Sequence, residues 1–234
     1  MGTPTVSVIV PVLNGEAFLA SALRSVLGQT HRSLEVIVVD DGSSDRTGQV
    51  VDGFRPCGIR YVRQENRGAG EARNRGVGEA TGEFLAFLDA DDLWTRDKLS
   101  LQLQAVGSDR PPCMAFGYYQ DFVDAPGAAG GRQRQPAPGC SVGTLLVRRE
   151  HFLKAGLFAA HWRVGEFIDW YARAIDTGLM PVMLPELMLL RRVHAGNTRI
   201  RDREDRQEYA RVVRSIVERR RRRSLAPAET RAHE

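Results

Sequence analysis

The chain has little cysteine and no long apolar run. Its 234 residues contain three cysteines, Cys57, Cys113 and Cys140, which lie far apart and form no Cys-x-x-Cys pair. This spacing argues against a disulfide framework and against a cysteine zinc site, so we expect buried free thiols. No apolar stretch approaches the ~20 residues of a membrane-spanning helix, and no early stretch has the pattern of a signal peptide. We therefore expect a cytoplasmic protein.

The remaining composition is typical of a globular protein. Hydrophobic residues make up 42% of the chain, which is enough for the core of one α/β domain. The net charge of +4 is small, but an unbroken run of arginines spans residues 219–223. A diffuse positive charge suits an anionic small ligand as well as a nucleic acid, so charge alone identifies no partner.

Apolar runs alternate with amphipathic segments in the first half of the chain. Strands are predicted at residues 6–10, 34–39, 59–62 and 84–88, the first of them stopped by Pro11. Helices are predicted between them, and the last of these helices, at residues 71–80, has small residues that allow close packing on the sheet. This alternation indicates a mostly parallel central sheet flanked by helices, with ligands bound beyond the carboxyl ends of the strands.

Two clusters of carboxylates lie at that predicted edge. Asp40 and Asp41 follow the second strand, and Asp89, Asp91 and Asp92 follow the fourth. Carboxylates this close together repel one another and lose hydration at the mouth of a buried strand, so a cation should compensate them. Oxygen ligands favour Mg²⁺ or Mn²⁺, which commonly binds one or two carboxylates together with phosphate oxygens. The alternative is that Asp91 or Asp92 only caps a following helix.

The second half is less regular. Strands are predicted at residues 114–123 and 141–147 and within 180–194, and helices at 99–106, 149–155 and 166–176. Residues 124–139 are rich in Gly, Ala, Pro, Gln and Arg and have no apolar periodicity, so we expect a mobile loop there.

The highly charged segment after residue 202 carries one apolar stripe at helical spacing. The stripe consists of Tyr209, Val212, Val213, Ile216 and Val217. Three interpretations are open: the helix packs back on the domain, it mediates association with a partner or a second copy, or it lies on an anionic membrane surface.

Four motifs follow one another in the chain. They are Val-Ser-Val-Ile-Val-Pro-Val-Leu-Asn at 6–14, Val-Asp-Asp-Gly-Ser-Ser-Asp at 39–45, the series Asn66, Gly68, Ala72-Arg73-Asn74 and Gly76, and Leu-Asp-Ala-Asp-Asp at 88–92. In this order and spacing they resemble family 2 glycosyltransferases of the GT-A fold. The resemblance is dense over the first hundred residues and continues more loosely to about residue 198.

The resemblance implies a GT-A glycosyltransferase domain at residues 1–198. Its nucleotide-sugar-binding half would span residues 1–105 and its acceptor-binding half residues 106–198, with a basic amphipathic helix and tail at 199–234. The implied enzyme takes a sugar from a nucleotide-sugar, usually a UDP-sugar, and inverts the anomeric carbon in the transfer. The acceptor, a glycan, lipid-linked intermediate, natural product or peptide side chain, stays unidentified, and the loop at 124–139 is expected to be its lid.

Site residues follow from the resemblance by position. Asp41, with Asp40 beside it, resembles the carboxylate that reads the base, and Pro11 and Asn14 resemble the loop that lines it. Arg73 is similar to a residue that holds the nucleotide. Asp89 and Asp91 resemble the acidic motif that binds the metal at the donor phosphates. A Mn²⁺ or Mg²⁺ ion there would stabilise the charge of the departing nucleoside diphosphate.

The acceptor hydroxyl or thiol needs a base in the second half of the chain. Family members commonly place Glu-Asp at the start of a helix, whereas this chain has Glu166, Phe167, Ile168 and Asp169 after Gly165. We expect Glu166 to be the base, with Asp169, one turn later, as the alternative. Alternatively, either acid lies there only because a negative charge is favourable near the N-terminus of a helix.

A late segment, residues 191–198, resembles the arginine-x-histidine segment with which the family can cover the diphosphate. His194 is therefore expected to be a third metal ligand or a phosphate contact, with a structural histidine as the alternative.

Two other classes of function stay open. A nucleotidyltransferase of similar fold also uses paired aspartates and Mg²⁺, although the opening loop lacks the glycines and basic residues that cradle a triphosphate. A non-catalytic module could bind nucleic acid or acidic surfaces through the arginine tail. That module would leave both acidic clusters unexplained, and central acids repel phosphate backbones. We therefore expect no nucleic-acid partner, and membrane contact or self-association only through the C-terminal helix.

Overall fold

A nine-stranded sheet runs through the part of the chain that the computed structural model describes, residues 3–106, 111, 113–123, 135–194 and 203–225. The strands are β1 (Val6–Val12), β2 (Leu34–Asp40), β3 (Arg60–Arg63), β4 (Phe84–Phe87), β5 (Leu93–Trp94), β6 (Met114–Phe122), β7 (Ala137–Gly139), β8 (Leu146–Arg148) and β9 (Pro181–Arg192). Their order is β3-β2-β1-β4-β8-β6-β9-β5, with β7 paired to β6.

Helices cover both faces of this sheet. They are α1 (Leu19–Leu27), α2 (Thr47–Asp52), α3 (Ala69–Glu79), α4 (Lys98–Val106), α5 (Arg149–Ala155), α6 (Glu166–Asp176) and α7 (Arg203–Leu225), with short 3₁₀ turns at Arg55–Cys57 and Val142–Thr144. Successive residues of a strand point to opposite faces. Val8 and Val10 accordingly pack in the cluster with α1 and α4, whereas Ile9 packs in the cluster with α3 and α6.

The α/β architecture predicted from the sequence is confirmed. β3, β2, β1 and β4 are all parallel, so the ends of β1, β2 and β4 meet at one edge of the sheet. Beyond β4 the sheet is mixed, because β8 pairs antiparallel with both β4 and β6 whereas β6 and β9 are parallel. The single sheet therefore joins the two halves of the chain.

Pro11 does not stop the first strand, contrary to the prediction. β1 continues to Val12, and Pro11 lies opposite Val39 of β2. The Ile9 carbonyl accepts a hydrogen bond from the Leu88 amide, so odd-numbered residues of β1 direct their backbone groups toward β4. β4 pairs with β1 only as far as Ile9. The Pro11 nitrogen, which has no hydrogen to donate, therefore lies where no strand needs one.

Several local predictions are wrong for physical reasons visible in the structure. Asp91 and Asp92 cap no helix, because the next residues form β5 on β9 and α4 begins only at Lys98. The end of the predicted loop forms β7, and residues 124–134 lie outside the described residues. The thiols of Cys57 and Cys140 are exposed rather than buried.

The apolar stripe of α7 is divided between the protein and the solvent. Val212 and Ile216 are buried with Ala172 of α6 and pack against Trp162 and Ile168. Val213 and Val217 stay 49% and 42% exposed. The interpretation in which the helix packs back on the domain therefore holds for the inner half of the stripe. In the described residues, no helix combines the length and the apolar character needed to span a membrane.

The close packing of α3 on the sheet can be tested with a pair of glycines. A Cβ on Gly76 would lie 2.4 Å from Ile9 Cγ2, whereas a Cβ on Gly78 would meet nothing within 4 Å. We expect Gly76→Ala to lower the free energy of unfolding by about 1–3 kcal/mol because it overpacks the core. Gly78→Ala should raise it by about 0.5–1 kcal/mol through helix propensity. Urea unfolding measures both, and a Gly76→Ala variant as stable as wild type would contradict the packing.

Candidate active site

The acidic motif forms a tight turn directly after β4. The Asp92 amide donates to the Asp89 carbonyl over 3.1 Å, which brings the three carboxylates of the motif onto one turn. Asp89 is the most exposed of them, with 41% of its side chain accessible, whereas Asp92 is buried. Burial, reinforced by the charges of Asp89 and Asp91, raises the pKa of Asp92 to about 8. The turn thus places one buried carboxyl beside two that are more exposed.

Arg192, at the end of β9, holds this turn in place from its buried side. Its backbone amide donates to Asp92 Oδ1 over 2.8 Å, and its Nε donates to the Asp91 carbonyl over 2.7 Å. The guanidinium lies 4.7 Å from the ring centroids of both Phe18 and Phe122. The resemblance suggested that this segment covers a diphosphate, but Arg192 is buried under the acidic turn. The described part of the segment ends at residue 194.

His194 is brought to the acidic motif as expected. Its Nε2 lies 3.0 Å from Asp91 Oδ2, and its ring packs against Phe18 with centroids 4.7 Å apart. The second acid of the motif and the late histidine therefore form one pair, although they are 103 residues apart in the sequence.

Arg73 joins the first acid of the motif to the predicted base. Its Nη2 donates to Asp89 Oδ1 over 2.7 Å, and its Nη1 donates to Glu166 Oε1 over 2.5 Å. Arg73 is buried, and burial opposes its charge. The charges of Asp89 and Glu166 outweigh that effect and raise the pKa of Arg73. One guanidinium thus holds carboxylates from both halves of the chain.

Glu166 and Asp169 have different environments, although they are one turn apart on α6. Both Asp169 oxygens are occupied: Arg173 Nε donates to Oδ2 and Arg219 Nη1 to Oδ1, each over 2.9 Å. Burial alone would raise the pKa of Asp169, but these hydrogen bonds outweigh it and lower the pKa. Asp169 therefore fastens α7 to α6, whereas Glu166 faces the acidic motif through Arg73.

The predicted base-reading carboxylates are buried at the end of β2. Asp40 accepts hydrogen bonds from the Ser43 amide and the Tyr61 hydroxyl. Burial and this contact with Asp40 raise the pKa of Tyr61 to about 12. Asp41 accepts from the amides of Arg67 and Gly68, at 2.9 and 2.8 Å, and so shapes the glycine-rich turn that leads into α3.

Asn14 connects the loop after β1 with the loop after β2. The Asn14 side-chain Oδ1 accepts a hydrogen bond from the Ser44 backbone amide, and the Asn14 backbone amide donates to Ser43 Oγ, both over 2.9 Å. Its φ of 52° is a left-handed conformation that asparagine tolerates better than most residues. A Cβ on Gly15 would lie 3.8 Å from Ala90 Cβ, so this loop also borders the acidic turn.

A cavity of about 420 Å³ opens beside Asp89 and Asp92, between β6, β7, β9 and the turn at Val142–Thr144. Three side chains hold the successive carbonyls of residues 143–145, a segment that begins at the cavity wall. Trp94 Nε1 donates to Gly143 O over 2.9 Å, Gln102 Nε2 to Thr144 O over 2.7 Å, and Lys98 Nζ to Leu145 O over 3.4 Å. Burial lowers the pKa of Lys98 well below its usual value. The wall is therefore fixed from the segment that follows the acidic motif, which the sequence did not reveal.

The donor atoms at the acidic turn fit a divalent cation that shares its coordination with other ligands. Among the described residues, no three or more His, Cys, Asp or Glu side chains are grouped so that they could hold a metal ion by themselves. Asp91 and His194 offer one oxygen and one nitrogen ligand, and Asp89 adjoins them in the turn. Sites with few protein ligands, completed by phosphate oxygens and water, are usual for Mg²⁺. A cation here would also relieve the repulsion between Asp92 and the charges of Asp89 and Asp91.

The family of the chain is shown by comparison with known proteins. The model of glycosyl transferase family 2 matches residues 7–159, which is more than half of the chain, and the chain belongs to this family. The glycosyltransferase GlyG of Streptococcus pneumoniae is 32% identical over 125 residues, which are 52% of this chain and 41% of GlyG. The chain thus spans less than half the length of this curated relative.

Solved structures share the fold. Residues 1–349 of S. aureus TarS, in complex with UDP-GlcNAc, superpose with a TM-score of 0.76 at 21% identity, covering 91% of this chain and 65% of that one. The mannosyltransferase PcManGT of Pyrobaculum calidifontis, in complex with GDP-Man and Mn²⁺, has a TM-score of 0.70 at 21% identity, covering 97% and 67%. At this identity the likeness establishes the GT-A fold.

The structural role of Asp169 predicts a pH-dependent loss of stability. Asp169→Asn should lower the free energy of unfolding at pH 7 by about 1–3 kcal/mol, because it removes a buried carboxylate from two arginines. The lowered pKa means that this contribution is present at neutral pH and is lost as the carboxylate protonates, below about pH 4.

Denaturant unfolding at pH 7 and pH 3 measures this difference. Asp52→Asn is the matched control, because Asp52 pairs with Arg55 on the surface and 57% of its side chain is exposed. We expect the control to change stability by less than about 0.5 kcal/mol. Equal stability of Asp169→Asn and wild type at pH 7 would refute the structural assignment.

Proposed function

We propose that the protein is a metal-dependent, inverting glycosyltransferase that uses a nucleoside-diphosphate sugar, with a UDP-sugar as the expected donor. The observation that carries this proposal is the ion-pair arrangement in which Arg73 holds both Asp89 and Glu166. This arrangement supports the assignment of Glu166 as a base beside the motif that would hold the donor phosphates. A displacement at the anomeric carbon needs these two groups close together.

The donor half of the proposed site consists of the ends of β1, β2 and β4. Asp41 is buried at the end of β2 and accepts one hydrogen bond at Oδ2, so this oxygen can accept another from a base N–H. Pro11 and Asn14 would line the base, and Arg73 and Asp89 would lie toward the sugar diphosphate. TarS with UDP-GlcNAc and PcManGT with GDP-Man support a nucleotide-sugar in a fold of this shape.

The acidic turn would hold a Mn²⁺ or Mg²⁺ ion through Asp91 and His194, with phosphate oxygens and water completing the coordination and Asp89 beside the ion. A bound cation neutralises the negative charge that develops on the departing diphosphate. The protein prepares this position: Arg192 fixes the turn and Arg73 orients Asp89, so the ligands lose little freedom on binding.

Glu166 is the base that the geometry favours. It adjoins the acidic motif through Arg73, and its position at the start of α6 faces the end of the sheet where the donor would lie. It would accept the proton of an acceptor hydroxyl or thiol as that atom attacks the sugar from the side opposite the diphosphate. Asp169 is buried, and the hydrogen bonds from Arg173 and Arg219 lower its pKa, which makes it a weaker base.

The outer face of α7 supports a peripheral contact with an anionic membrane surface. Val213 and Val217 are exposed there, next to the exposed side chains of Arg214 and Arg221. Apolar residues flanked by arginines suit the boundary between acidic headgroups and acyl chains.

The donor half is tested by calorimetric titration of UDP, GDP and the common nucleotide-sugars, with Mn²⁺ or Mg²⁺ and then with a chelator. We expect one nucleotide to bind only when metal is present, and Asp91→Asn to abolish that metal dependence. Asp97→Asn, an exposed aspartate shortly after the motif, should bind as wild type does. Failure of every nucleotide to bind the wild-type protein would reject the proposed function.

The base is tested with the nucleotide-sugar that calorimetry selects, with water as the acceptor. Glu166→Gln should leave donor affinity within about twofold and lower the turnover rate by roughly 10²–10⁴-fold, the usual contribution of a general base. Asp169→Asn should lower the rate of the folded protein by no more than roughly tenfold, because Asp169 acts only through the packing of α7. A high rate for Glu166→Gln, together with loss of activity in Asp169→Asn, would show that the base assignment is wrong.

A further inference from the structure

The C-terminal helix packs on the residue that precedes the proposed base. Gly165 has φ of +83°, a left-handed conformation that turns the chain sharply into α6. A Cβ on Gly165 would lie 3.3 Å from Val212 Cγ2 and 3.7 Å from Tyr209 Cε2. Both neighbours belong to α7, so this helix forms the wall against which the turn before Glu166 rests.

The same turn is tied to α7 by a hydrogen bond. The backbone amide of Arg163 donates to Glu208 Oε1 over 2.5 Å. Trp162, one residue earlier, packs with the buried residues Val212 and Ile216. The turn at 162–165 is thus held by polar and apolar contacts from one helix.

Ion pairs fix the position of α7 along α6. Arg219 donates to Asp169 and Arg220 to Asp176, each over 2.9 Å. These pairs anchor the helix at one end, while Tyr209 lies at the other end near Glu166. Burial, followed by the nearby Glu166 charge, raises the pKa of Tyr209. The basic helix is therefore aligned with the helix that begins at the base.

We propose that the inner face of α7 is a positioning element for Glu166, with Tyr209 and Val212 as its positioning residues. This inference rests on the proposed function, because it concerns the base of that reaction. Both residues lie on α7, whereas the candidate donor site is built from the ends of β1, β2 and β4 and from Arg73. The segment that matches the family model ends at residue 159, so α7 is a feature of this chain beyond that match.

The proposal predicts a specific division between rate and affinity. If α7 loosens, the turn at 162–165 relaxes, and Glu166 moves relative to Arg73 and the reacting atoms. We expect Val212→Ala and Tyr209→Ala to lower kcat roughly tenfold, since small displacements of a catalytic group are costly. Donor affinity, measured by calorimetry, should stay within about twofold of wild type.

Two matched variants separate positioning from general damage. Val213→Ala changes the neighbouring residue on the same helix, which is 49% exposed, and should leave kcat unchanged. Tyr209→Phe keeps the ring that packs on Gly165 and should restore most of the rate that Tyr209→Ala loses.

A double-mutant cycle tests whether the effect passes through Glu166. In a Glu166→Gln background, Val212→Ala should cost little further rate, because the group that it displaces is already inactive. The assay follows UDP release from UDP-glucose and UDP-N-acetylglucosamine with water as the acceptor. An undiminished tenfold loss in that background would overturn the proposal, as would a full rate for Val212→Ala alone.

Hydrogen exchange gives a readout that does not depend on turnover. The amides of residues 163–166 should exchange faster in Val212→Ala than in wild type or Val213→Ala, at a temperature where all three are folded. If the wild type shows no turnover but Val212→Ala still exchanges faster, the proposed function is rejected and the contact between α7 and the turn is supported. Unchanged exchange in Val212→Ala would overturn the positioning role whatever the activity.

Discussion

The buried guanidinium of Arg73 is the constraint on which the candidate site depends. An arginine that is almost inaccessible to water must keep its anionic partners, because an unpaired buried charge would cost several kcal/mol. Its partners, Asp89 and Glu166, are 16 and 93 residues away in the sequence. The pairing therefore fixes the relative positions of α3, the acidic turn and α6. Such buried pairs seldom add much net stability, so their value here lies in the geometry they impose.

Charge at the acidic turn is compensated unevenly, and this unevenness has a chemical consequence. Asp89 is hydrogen-bonded to Arg73 and Asp91 to His194, whereas Asp92 accepts a hydrogen bond from the backbone amide of Arg192. Burial, followed by the charges of Asp89 and Asp91, raises the pKa of Asp92 to about 8. A cation at Asp91 would reduce the repulsion among the three acids and would draw a diphosphate to the same place. Metal and donor binding are therefore expected to reinforce each other.

The sequence predicted the features that depend on local pattern and missed those that depend on distant pairing. The parallel strands, the acidic edge and the helix that begins at Glu166 follow from periodicity and capping, which are encoded within a few residues. The place of β9 beside β6 depends on contacts across some 70 residues, so the role of Arg192 beneath the acidic turn was not evident. The prediction for Pro11 is wrong because strand pairing on each side, rather than proline itself, decides whether a strand continues.

The arginine run and Asp169 both suggest a function in the sequence, but in the structure they pair with each other. In the sequence, the run suggests a basic surface and Asp169 suggests a second base. In the structure, Arg219 points inward to Asp169 and Arg220 pairs with Asp176, so part of the run neutralises acids of α6. The surface is consequently less basic than the run implies, and one carboxylate is removed from the set of candidate bases. In the proposed reaction Asp169 would act only by holding α7 in place, and Glu166 would be the group that this helix positions.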